Sequence, residues 1–94
     1  MIRHVVFFKI KNENIDKQDL KNLILSLEGK IDCIKYYQVG TNFSKEERAY
    51  DLVLISDFQT KEDLSLYATH PEHLKVISKV KSKGITTKVV DFEY

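Results

Sequence analysis

Residues 60–83, TKEDLSLYATHPEHLKVISKVKSK, carry the reading that decides the fold. Leu64, Tyr67, Ala68, Pro71, Leu74, Ile77 and Val80 recur at spacings of three and four, which gives a helix one apolar stripe and requires a sheet for that stripe to face. Thr60 and Asp63 form a helix start, because the hydroxyl accepts from an orphan N–H and the carboxylate lies at the positive helix end. Pro71 lacks a backbone donor and pushes His70 away from helical angles. The pattern therefore predicts a break near residues 69–70 and a restart with Thr69 as cap and Glu72 three positions on. The break gathers the phenol of Tyr67 and the imidazoles of His70 and His73 into one short stretch, with His73 at the edge of the stripe, facing the core or its rim.

Outward from this stretch lie strands. Residues 50–58, YDLVLISDF, contain Leu52, Val53, Leu54 and Ile55, so neither face is polar and the strand belongs in the middle of a sheet. Gly84 ends the helical region, and residues 85–93, ITTKVVDFE, disperse Lys88, Asp91 and Glu93 along an edge strand. The opening run 2–10, IRHVVFFKI, is rich in β-branched and aromatic residues, with Ile2, His4, Val6, Phe8 and Ile10 on one side and Val5 and Phe7 on the other. It is a second central strand. Asp16 then caps a helix running to about residue 28, striped by Leu20, Leu23, Ile24 and Leu27 and ended by Gly29. Residues 31–39 read as another edge strand, and 40–47, GTNFSKEE, as a surface loop.

The order is β-α-β-β-α-β, an α+β ferredoxin-like plan with a four-stranded antiparallel sheet, strands one and three central and both helices on one face. The other face is left apolar and bare, more than a monomer usually exposes. A homodimer through the helix-free sheet face is the economical solution.

At 94 residues the chain is a single domain, 1–94, near the lower limit for a self-sufficient core. Charged residues make up 31% and the net charge is +1, which argues against a nucleic-acid surface. Lys75, Lys79, Lys81 and Lys83 sit at the end of the last helix, where cations complement the macrodipole. Cys33 is the only cysteine, so no intrachain disulfide forms, and it packs as a small hydrophobe. No basic-then-apolar leader precedes the first strand, and no apolar run approaches the ~20 residues of a membrane helix, so the expected location is cytoplasmic.

The opening IRHVVFFKIK, the central VGTNFS and above all LYATHPEHLKVI resemble the stress-responsive A/B barrel domain family, the dimeric α+β barrels, over essentially the whole chain. The resemblance implies a ferredoxin-like monomer that dimerises sheet to sheet. Most members of that family have no assigned reaction, and a few are polyketide cyclases that close a ring by aldol condensation. In those cyclases a tyrosine and a histidine of the second helical region are catalytic, at positions that match Tyr67 and His73, with the strand-one histidine, His4, nearby. The plant-type cyclases also carry a histidine in strand three and a tyrosine in helix one, where Leu52 and Ile24 stand here.

His73 has the chemistry to take a proton from carbon α to a carbonyl, and Tyr67 to donate to the resulting enolate oxygen. Equally, Tyr67 can fill core volume while His73 bonds a carbonyl at the helix break and His4 sits satisfied on an apolar strand. His70, before a proline, suits a cap. Three histidines, two of them close together across a break, do not make a zinc site, and neither metal nor cofactor is expected. The first reading is a pocket between helices and sheet that binds a small hydrophobic metabolite, with His4, Tyr67 and His73 as its polar points. The alternative is a cyclase-like enzyme using the same three residues.

Overall fold

The computed structural model describes residues 1–94. Its elements are β1 (Ile2–Lys9), α1 (Lys17–Leu25), β2 (Tyr36–Thr41), β3 (Leu52–Phe58), α2 (Lys61–Thr69), α3 (Pro71–Ser82) and β4 (Thr86–Glu93). The strands form one antiparallel sheet in the order β2-β3-β1-β4, so the two most apolar strands are indeed the central ones. This is the ferredoxin-like α+β fold. Ile2, Phe8, Leu52, Leu54 and Phe58 point to the helices and join Leu20, Ile24, Leu27 and Tyr67 in the core.

The two expected helix starts are present: Asp16 accepts from Gln18 N at 2.7 Å and Thr60 Oγ1 from Asp63 N at 3.1 Å. The restart differs. His70, not Thr69, caps α3, its Nδ1 accepting from Glu72 N at 3.1 Å with Pro71 at the first helical position. The Thr69 hydroxyl donates back to Ser65 O at 3.0 Å instead, a bond open to it because Thr69 is still inside α2. The break also rephases the helix. Leu74, expected on the stripe, is 51% exposed, while His73, Val76, Ile77 and Val80 form the inner face of α3.

Helix α1 ends at Leu25, earlier than residue 28. The Ser26 hydroxyl donates to Leu23 O, and the chain tightens through i to i+3 bonds, Leu27 N to Ile24 O and Glu28 N to Leu25 O, before Gly29 turns it at φ +81°. Strand β2 begins at Tyr36, not at residue 31. Residues 31–34 close a turn, Ile34 N to Ile31 O at 3.3 Å, which drives Ile31 into the core where the apolar run had suggested a strand.

The helix-free face carries Phe7, Tyr36, Val90, Phe92 and Tyr94, each 38–59% exposed. Amid them Arg3 grips Asp57 through two 2.8 Å bonds, and Tyr94 donates to the same carboxylate at 2.6 Å.

Candidate functional site: a cavity beneath the broken helix

A cavity of about 370 Å³ opens between α3 and the sheet, within the range of small-molecule sites. Its walls are apolar apart from a few groups, and these come from five elements: His4 from β1, Tyr37 from β2, Tyr67 from α2, His73 and Lys81 from α3, and Thr87 from β4. All three residues expected at the site line this one cavity.

Tyr67 is the hub. It is 1% exposed, with its ring centroid 4.2 Å from that of His73, 5.0 Å from Phe58 and 6.0 Å from His4. Burial pushes its phenol up to about 12, against a hydrogen bond with Tyr37, so at neutral pH the hydroxyl stays protonated. Tyr37, equally a wall of the cavity, donates its own hydroxyl to Ile24 O at 2.8 Å, and burial raises its pKa well beyond the ordinary phenol value.

The sequence profile of the stress responsive A/B barrel domain matches residues 2–94. The chain belongs to this family. It is 24% identical over 100 residues to a stress-response A/B barrel domain-containing protein of Arabidopsis thaliana, covering 98% of this chain but only 46% of that protein, so it spans under half of that relative's length. Among solved structures it resembles a dimeric ferredoxin-like protein of unknown function from Bacteroides fragilis, with TM-score 0.79, 27% identity and coverage of 99% and 95% of the two chains. A hydroxynitrile lyase from Passiflora edulis shares the fold alone, with TM-score 0.77, 17% identity and coverage of 98% and 93%.

In this A/B barrel domain the two histidines are each held by a group that can only accept. His73 Nδ1 lies 2.9 Å from Ala68 O, a carbonyl freed at the end of α2, so Nδ1 carries the proton and Nε2 keeps its lone pair. Burial, aided by the neighbouring histidines and opposed by the Ala68 bond, lowers the His73 pKa below the ordinary imidazole value. Nδ1 of His4 meets the Asp91 carboxylate directly across the β1–β4 ladder, so that nitrogen also carries a proton.

Asp91, Tyr37, Lys81 and Thr87 are residues at the site that sequence reasoning did not place there. Asp91 could have been found by register, since an inward position on β4 opposite His4 is the place for a partner carboxylate. Of the two aliphatic departures, Ile24 lines the cavity, whereas Leu52 is buried outside it at 2% exposure. His70 is not among the lining residues; its ring is committed to the cap. No three His, Cys, Asp or Glu side chains converge as a metal site requires. No helix is long and apolar enough to cross a membrane.

Proposed function

We propose that this A/B barrel domain binds a small, mostly apolar metabolite in the cavity under α3, using His4, Tyr67 and His73 as its polar contacts. The observation that carries this reading is convergence: three elements bring those side chains to one apolar cavity of about 370 Å³. The protomer is proposed to work as a homodimer joined through the helix-free faces, in line with the exposed Phe7, Val90 and Phe92 and with the dimeric Bacteroides fragilis relative. That arrangement leaves the cavity, on the other face, open to ligand.

A second reading, proton transfer α to a carbonyl, is favoured by one specific feature. His73 is neutral near pH 7 with its proton committed to Ala68, so Nε2 is available as a base beside a phenol that remains protonated. A base would remove the α-proton while the Tyr67 hydroxyl donates a hydrogen bond to the enolate oxygen, and His4, oriented by Asp91, would complete the polar end.

His73→Ala and Tyr67→Phe separate the two readings. If the domain only binds, each change weakens affinity by about 0.5–1.5 kcal/mol, the worth of one hydrogen bond. Turnover of a poly-β-keto substrate that falls ~10²- to 10⁴-fold in the same variants would establish catalysis. Absence of both binding and turnover in the wild type would remove both readings.

A further inference from the structure

The cavity has two polar ends. Along α3, His73 and Lys81 are eight residues apart, about 12 Å along the helix axis. Along β1, His4 and Phe8 are about 13 Å apart, and their partners across the ladder are Asp91 and Thr87. Histidines and Tyr67 thus occupy one end of a slot, and Lys81 and Thr87 the other, with Val6, Val76, Val80 and Val89 between them.

Lys81 is the only cation lining the cavity and makes no salt bridge within the protomer. Most lysines of the chain likewise lack a carboxylate partner, only Lys17, Lys61 and Lys75 having one; what sets Lys81 apart is its place on the cavity wall. An exposed lysine at the rim of apolar walls, with Thr87 also lining the cavity and no anion supplied by the chain, is complementary to an anionic group on a ligand. A single lysine matches one negative charge; a phosphate ester would call for a second cation or a set of backbone donors.

We propose that the ligand is a monocarboxylate with an apolar body and a carbonyl group at its opposite end. Its carboxylate meets Lys81 and the Thr87 hydroxyl, and its carbonyl oxygen accepts from Tyr67. This assignment rests on the cavity being a ligand site and adds the chemical class and direction of what enters it. Lys81 also lies in the last turn of α3, where it favours the helix dipole, but Lys79 shares that role without lining the cavity.

Two probes differ only at the end in question: 9-oxodecanoate carries a carboxylate where 2-decanone carries a terminal methyl. Both are titrated at low ionic strength into the wild type, Lys81→Met and Lys79→Met, Met preserving the apolar stem of the lysine. The wild type is expected to bind the oxo acid roughly three- to tenfold more tightly than the ketone, as suits a charged contact at a solvent-facing mouth. Lys81→Met should erase that preference, the loss falling on 9-oxodecanoate, and Lys79→Met should keep it. Equal binding of the two probes by the wild type, or a preference that survives Lys81→Met, overturns the carboxylate assignment but not the cavity. If neither probe binds, the ligand-site reading fails and takes the assignment with it.

Discussion

The two faces of the sheet are built from the same strands with similar apolar content, yet they are closed in different ways. On one, Ile2, Phe8, Leu54 and Phe58 are sealed by helices, with a cavity left where α3 packs against α1 and α2 over the sheet. On the other, Phe7, Val90 and Phe92 stay exposed around the Arg3–Asp57 pair. Alternation along a strand distributes hydrophobicity, but covering a face takes a further element. Where the chain supplies helices it leaves a cavity among them, and where it supplies none the apolar side chains stay exposed, which is the basis of the proposed dimer.

The sharpest way to break this contrast is to truncate one aromatic on each face. Phe58→Ala removes a ring with 0% exposure and should lower unfolding free energy by about 3–5 kcal/mol in urea titrations. Phe92→Ala, at 44% exposure, should cost the protomer far less. Comparable losses at the two positions would mean that the faces are not distinct. A charge placed on the bare face, Val90→Asp, should leave circular dichroism unchanged while light scattering reports monomer mass at micromolar concentration. A mass equal to wild type would move the interface elsewhere.

The faces should also titrate in different windows. The Arg3 guanidinium and the Tyr94 hydroxyl hold the Asp57 carboxyl below its ordinary range, so its stabilising contribution is present above pH ~3.9 and lost as the pH falls through the folded value. Asp57→Asn should flatten the acid limb of a melting-temperature profile. His73, also depressed, binds its proton more readily when unfolded, so its contribution is complete above pH ~6.5 and fades on acidification through its lower folded value. The smallest effect is predicted here: His73→Phe should remove a shallow loss of stability just below pH 6.5. An unchanged slope in that variant would show that His73 is not desolvated as its surroundings imply.

Much of this contrast was legible in the residues. Apolar side chains at odd and even positions of β1 and β3 identified the central strands, and Pro71 identified the helix break. Less legible was anything that depends on how elements meet. His70 displaced Thr69 as the cap because its ring reaches Glu72 N once the backbone is extended there, and Leu74 of the helix it caps faces water. Residues 31–34 have strand-like composition but fold as a turn, because Ile31 is needed beneath the helices. Asp91 looked like an edge-strand charge until the register set it opposite His4. Tyr67 and His73 were found by spacing, but their tilted ring contact at 4.2 Å depends on how α2 and α3 meet at the break, which no periodicity encodes.

The most direct test of the central claim is a backbone and side-chain chemical-shift map of the wild-type protein titrated with 2-decanone. Saturable shifts at His4, Tyr67, His73, Val76, Val80 and Val89, with Val5, Phe7, Val90 and Phe92 undisturbed, are the predicted result. Shifts confined to the helix-free face, or none at any accessible concentration, would contradict it.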